Sequence, residues 1–110
     1  MAFVPYHNIT GSTGVDVELI APGLNVGEIR SIVIANTHAT ADATVTLFLE
    51  NNPTGAAASI FKIINTLAIP ASSSLVIDDT SILSFDNSTD GYGLYITVGS
   101  SDTLDVMINR

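Results

Sequence analysis

The side chains that could support catalysis are few in this chain and are not grouped. Nucleophilic catalysis needs a nucleophile, a base and a group that orients the base. His7 and His38 are the only histidines. His38 falls in a polar run, residues 36–42, that is typical of a loop between strands, and no glycine-flanked serine precedes a helical pattern. We therefore expect no catalytic residues and no enzymatic activity.

Adjacent carboxylates at Asp78 and Asp79 could in principle perform acid–base chemistry on a sugar. Neighbouring residues of a strand point to opposite faces, so the two groups would not converge on one substrate. The pair is more typical of a strand end followed by a turn. A single helical turn over residues 78–85, with Asp79 or Thr80 as N-cap, is the only helix that the sequence allows.

Residues 86–90 place oxygen donors in one loop, and they are the one candidate metal site. Asp86 and Asp90 are the candidate calcium ligands, because calcium takes six to eight oxygens from such loops. The EF-hand spacing and its closing glutamate are missing, however. A turn rich in Asp and Asn explains the same residues without a metal. We therefore expect no cofactor.

Large side chains on the predicted outward faces are candidates for protein contacts. Phe48 and Tyr95 alternate with inward residues of their strands, and bare aromatic rings are typical anchors of interfaces. The alternative is that the two rings lie on neighbouring strands and pair with each other. The candidate interface residues are Phe3, Tyr6, Phe48, Tyr95 and Met107.

The hydrophobic pattern that must position these residues has a period of two, which predicts strands. Half-buried strands are expected at residues 15–19, 43–50, 94–98 and 103–109, and a shorter strand at 73–77. The uniformly apolar runs 29–35 and 60–69 are expected to be central strands buried on both faces. The short link at residues 99–102 predicts that the last two strands form a hairpin.

Strands that recur at this spacing predict an all-β fold, a single antiparallel β-sandwich of jelly-roll or immunoglobulin-like type with about 7–8 strands. With 110 residues there is room for one domain. We assign residues 15–110 to the sandwich. Residues 1–14, which end in a Gly- and Ser-containing stretch, form either an arm that packs on a neighbouring subunit or an edge strand of the same sandwich.

Charge and composition exclude several classes of function. The formal net charge is -8, with Arg30, Lys62 and Arg110 as the only Lys or Arg residues. Such sparse cations cannot neutralise nucleic-acid phosphates or anionic lipids, so we expect neither nucleic acid nor membrane as a partner. Charged residues make up only 13 % of the chain. A small body with so few charges is expected to form a homo-oligomer or to join a larger assembly.

The start of the chain lacks a basic region followed by a long apolar run, so we expect no signal peptide. There are also no cysteines, which excludes disulfides and thiolate chemistry.

Three segments carry a resemblance to a known group of proteins. They are SIVIANTH with VTLFL (residues 31–38 and 45–49), AIPASSSLVID (68–78) and YGLYITV (92–98). In this order they resemble small β-sandwich structural proteins of tailed phages, especially phages of marine bacteria and cyanobacteria. The resemblance covers residues 28–110 and lies in the overall pattern, without a diagnostic motif. It carries no catalytic residues.

The resemblance implies a virion structural protein made in the host cytoplasm, with the major capsid protein or other virion proteins as partners. A capsid decoration (cement) protein that bridges shell subunits is the first expectation. A neck, tail or fibre-attachment component is the alternative within this class. A carbohydrate-binding adhesion module is the alternative from another class, and the lack of Trp weakens it.

Overall fold

The computed structural model describes residues 3–51 and 59–110. Within them lie eight strands and one short helix. The strands are β1 (Tyr6–Thr10), β2 (Asp16–Ile20), β3 (Ser31–Asn36), β4 (Ala43–Asn51), β5 (Ser59–Ile69), β6 (Ser74–Ile77), β7 (Gly93–Val98) and β8 (Thr103–Asn109), and helix α1 spans Thr80–Leu83.

The strands form two antiparallel sheets of four. The first sheet has the order β1-β8-β3-β6 and the second has the order β2-β7-β4-β5. This confirms the predicted all-β sandwich. Of the two predicted types it is the jelly roll, because β1 and β2 lie in different sheets, whereas the first two strands of an immunoglobulin domain are neighbours in one sheet. Among the described strands, only β4 and β5 are consecutive and paired.

The core lies between the two sheets and is built from the inward residues of each strand. In β3 the side chains alternate between buried and half-buried positions, with Ile32 and Ile34 fully inaccessible. Val106 and Ile108 of β8 pair with these two residues, and Leu47 and Ile96 are buried in the second sheet. Full burial of each such side chain stabilises the fold by about 1.5–3 kcal/mol.

The predicted hairpin between the last two strands is wrong. β7 pairs with β2 and β4, while β8 pairs with β1 and β3 in the other sheet. The link between them crosses from one sheet to the other and is held there by hydrogen bonds to β4 and to the segment after β1. The N–H of Gly99 donates to the carbonyl of Thr44, and that of Gly11 donates to the carbonyl of Asp102. A period-two pattern locates strands but does not identify their partners.

The prediction of two fully buried central strands is also corrected. β3 is an interior strand, but Val33 lies on its outer face and is only half-buried. β5 lies at the edge of the second sheet, and most of its residues are exposed. The two apolar runs therefore lie in different environments, one in an interior strand and the other in an edge strand. In β5 much of the apolar surface is not covered by the described part of the chain.

The N-terminal segment contributes an edge strand to the sandwich. β1 pairs with β8 from Tyr6 opposite Met107 to Thr10 opposite Thr103. Pro5 accepts a hydrogen bond from the N–H of Ile108 immediately before the strand begins. Of the two alternatives for residues 1–14, the described segment therefore adopts the edge strand.

Candidate interaction surfaces

A row of apolar side chains crosses the outer face of the first sheet. Tyr6 lies opposite Met107, Met107 opposite Val33, and Val33 opposite Val76. We call these four residues the apolar row. Tyr6 is 68 % exposed, Val76 55 % and Met107 37 %, while Val33 is half-buried. The row is continuous over all four strands, so its members form one patch rather than scattered exposed side chains.

A polar row lies beside the apolar row on the same face. It runs through Asn8, Asp105, Ala35 and Ser74, which are matched across the four strands. The amide of Asn8 donates to the carboxylate of Asp105 at 2.7 Å. The apolar row is therefore flanked on one side by mainly polar residues, and apolar and polar groups lie side by side in this way at many protein–protein contacts.

On the outer face of the second sheet, Phe48 and Tyr95 pair with each other. They are directly opposite in the β4–β7 register, with ring centroids 5.8 Å apart and planes 21° from parallel. Phe48 is only 5 % exposed. The structure therefore shows the pairing alternative for these rings, and Phe48 has little surface left for a partner.

The phenol of Tyr95 is tied to a carboxylate on the adjacent strand. Its hydroxyl donates to Glu18 at 3.1 Å. Burial is the largest cause that raises the pKa of Tyr95 to about 12, followed by the hydrogen bond to Glu18 and the negative charges of Glu18 and Glu50. The phenol therefore stays protonated and acts as a hydrogen-bond donor between β7 and β2.

A shallow depression of about 290 Å³ lies beside this aromatic pair. Its lining residues are Asp16, Thr46, Phe48, Ile60, Lys62, Asn65, Thr66 and Thr97. Polar side chains around an apolar floor are a composition that a sugar could use. The aromatic ring in the floor is covered, however, so it offers no open platform for stacking.

Phe3, the remaining candidate interface residue, packs inside the molecule. Its side chain is half-buried against the core. The guanidinium of Arg110 lies 4.5 Å from the centre of its ring, a cation–π contact. Arg110 also donates to the carbonyl of Val26 at 3.4 Å. Phe3 therefore packs against the core and against Arg110, near the other end of the chain, and offers little surface to a partner.

In the oxygen-rich loop at residues 86–90, the side-chain oxygens of Asp86 and Asn87 already accept hydrogen bonds within the protein. The Asp86 carboxylate accepts the N–H of Ser88 at 3.0 Å, and hydrogen bonds from the hydroxyl and N–H of Ser88 lower the pKa of Asp86. Asn87 is 6 % exposed, and its amide donates to the carbonyls of Ala21 and Tyr92. Over residues 3–51 and 59–110, no three His, Cys, Asp or Glu side chains come together as a metal site would require.

His7, His38 and Asp79, which could have supported catalysis, each contact another part of the fold. His7 contacts the carbonyl of Val4 at 3.0 Å, and Nε2 of His38 lies 3.7 Å from the Asp102 carboxylate. The other oxygen of Asp102 accepts the N–H of Thr44. Asp79 is the N-cap of α1 and accepts from the N–H and the hydroxyl of Ser81, as the sequence allowed.

The sequence predicts a surface role for only two residues of the apolar row, Tyr6 and Met107. Val33 and Val76 are predicted only as strand residues. The signal that could have found Val33 is its position between Ile32 and Ile34, which alternation places on the opposite face. Val76 follows by the same argument from Leu75 and Ile77. The matching of the four strands depends on a topology that the sequence alone did not predict.

The only helix in the described segments, α1, is too short to cross a membrane. No protein-family model, curated protein or solved structure matches the chain.

Proposed function

We propose that this chain is a virion structural protein that decorates the capsid and stabilises the shell by bridging neighbouring subunits. The observation that supports this most directly is the apolar row, Tyr6–Met107–Val33–Val76, which crosses a whole sheet face of a small domain. The sequence pattern shared with tailed-phage structural proteins suggests which assembly it joins. A neck, tail or fibre-attachment position is the alternative within the same class.

The size of the apolar row indicates how such a protein would bind. Only part of each side chain is exposed, so covering the row contributes about 1–2 kcal/mol per residue, or roughly 5 kcal/mol in all. Association costs about 4–15 kcal/mol in lost freedom of motion. The net free energy of binding for one row on one subunit is therefore close to zero. Firm attachment requires further contacts, as a protein that bridges two shell subunits would make.

The acidic character of the chain fits a position on the outside of a shell. With a net charge of -8 it is repelled by packaged nucleic acid, whose phosphates carry the same sign. The row itself contains no charged residue. Contact with the shell would therefore not require the burial of an unpaired carboxylate at the centre of the interface.

The copy number of the chain in purified virions tests the proposal. Quantitative mass spectrometry should give a copy number comparable to that of the major capsid protein. A number comparable to that of a neck or tail protein would place the chain at that position instead. Absence from virions would overturn the proposal, and specific binding on a glycan array would then favour the adhesion module.

Variants of the row test the contact surface. Tyr6→Ser and Val76→Ser should each weaken binding of the purified chain to shells that lack it, because each removes exposed apolar area. Thr10→Ser, on the same face of β1 but outside the row, is the matched control and should bind as the unmodified chain does. Unchanged binding of both row variants would contradict the assignment of this face.

A further inference from the structure

β5 has the composition of an interior strand but lies at an edge. It is eleven residues long, and Lys62 is its only charged residue. Ile60 is 51 % exposed, Phe61 58 % and Leu67 40 %, even though the ring of Phe61 already contacts that of Tyr92. No described strand pairs with the outer side of β5. This is the surface on which an additional strand would normally lie.

The edge strand β6 lies on the same side of the sandwich. β5 and β6 are the last strands of their two sheets and are joined by a short turn at residues 70–73. We call the open edge formed by β5 and β6 the neutral flank, because the sequence from Asn51 to Ile77 contains no Asp or Glu and a single cation, Lys62.

The charges of the chain are concentrated elsewhere. All eleven carboxylates lie outside the segment from Asn51 to Ile77. On the opposite side of the sandwich, β2 carries Asp16 and Glu18, and both are exposed. The loops at residues 21–30 and 78–92 carry most of the others. A second chain with the same charge of -8 would be repelled by most of this surface and least by the neutral flank.

We infer that the neutral flank is the interface of a homodimer, in which a second copy of this chain places its own β5 antiparallel to the first. A twofold axis perpendicular to β5 makes the strand antiparallel to its copy, and it presents the same surface on both sides. Each copy then covers the exposed apolar residues of the other without bringing carboxylates together. This goes beyond the proposed function, which concerns the outer face of the first sheet.

The dimensions of the neutral flank are sufficient for a specific dimer. Eleven residues at about 3.3 Å each give a length of about 36 Å. β6, with four residues, adds a length of about 13 Å. With each edge about 10 Å wide, the area is roughly 500 Å² per copy, or about 1,000 Å² for the pair, which is the lower limit for a specific interface.

The twofold arrangement closes the contact as a pair, because each copy covers the β5 edge of the other, and features of β5 limit how the two strands pair. The β4–β5 register shifts between Val45 and Leu47 and again between Leu47 and Phe48, so β5 carries extra residues there. Such bulges interrupt regular main-chain pairing. The side chains of Ile60, Phe61 and Leu67 would then supply most of the contact, with main-chain pairing confined to the regular part of the strand.

Sedimentation velocity of the purified full-length chain tests the inference. A dimer is expected, and it should become tighter as salt is added, because salt screens the repulsion between two acidic chains. Phe61→Glu and Leu67→Glu should each give monomers, since each places a carboxylate in the interface. Tyr6→Glu, at an exposed site outside the flank, should remain dimeric. Circular dichroism confirms that each variant is folded.

Cross-linking gives a second readout that does not depend on weakening the interface. The chain has no cysteine, so a single introduced thiol can form a disulfide only with another copy. Asn65→Cys, near the middle of β5, should oxidise to a covalent dimer, while Asn8→Cys on β1 should not. A chain that stays monomeric at high concentration, or a dimer that survives both glutamate substitutions, would overturn the inference without affecting the capsid proposal.

Discussion

The Asn87 side chain holds the connection between β2 and β3 through Val26, whose N–H donates to the asparagine Oδ1 at 3.1 Å. The two residues are 61 positions apart in the sequence, and both are buried. The amide nitrogen of Asn87 donates to the carbonyls of Ala21 and Tyr92 at 2.9 and 2.8 Å. One side chain thereby satisfies three main-chain groups at one end of the sandwich.

Asn87→Ala should therefore lower the free energy of unfolding by about 3 kcal/mol, since it leaves buried main-chain groups without partners. Urea unfolding followed by circular dichroism measures the change. Asn8→Ala is the matched control, because Asn8 is exposed and makes a single side-chain bond, to Asp105. It should lower the stability by less than about 1 kcal/mol. Equal effects of the two substitutions would contradict the role given to Asn87.

Stability should fall in strongly alkaline solution because of Tyr95. Its pKa is raised to about 12 in the folded chain, whereas that of an unfolded tyrosine is 10.0. Between these two values the folded state binds more protons than the unfolded state, so its stability decreases as the pH rises. The contribution of this phenol is complete below pH 10 and is lost as the pH passes through about 12.

Ultraviolet titration of the tyrosines measures this directly. Tyr95→Phe should remove the phenol that titrates at about 12, and Glu18→Gln should lower the pKa of Tyr95, because it removes a negative charge beside the hydroxyl. Tyr6→Phe is the control and should leave that titration in place. A Tyr95 phenol that titrates at the ordinary value would contradict the burial of its ring and its contact with Glu18.

Calcium should have no effect on the melting temperature. The Asp86 carboxylate is already bonded to Ser88, and Asn87 is directed into the fold, so Asp90 is left without partners that could complete a site. Thermal unfolding with added calcium, compared with added chelator, measures the effect. A rise in melting temperature with calcium that is abolished by Asp86→Asn would instead show that residues 86–90 bind the ion.

The sequence predicts the strands well because each has a strong local pattern. Alternation in residues 103–109 and 94–98 identifies β8 and β7 almost to the residue. The partners of these strands depend on which connections cross between the sheets. That is decided by contacts such as Thr44 with Gly99, far apart in the sequence, which periodicity does not contain.

Surface roles were harder to predict for a related reason. The run at residues 60–69 has the residue types of a buried strand, and nothing local indicates that it lies at an edge. Asn87 was interpreted as part of a polar loop, whereas its burial follows from packing against residues near Val26. In both cases the environment of a residue is set by segments that are distant in the chain.

The position of β8 has a consequence for biosynthesis. It is the last strand along the chain, yet it lies between β1 and β3 and is the only link between them in the first sheet. The first sheet therefore cannot be completed before residues 103–109 have been synthesised. Its formation should be slow, as for other proteins dominated by non-local pairing. Until then the apolar strands are exposed to chaperones, and a premature stop before Thr103 would leave β1 and β3 without a partner to join them.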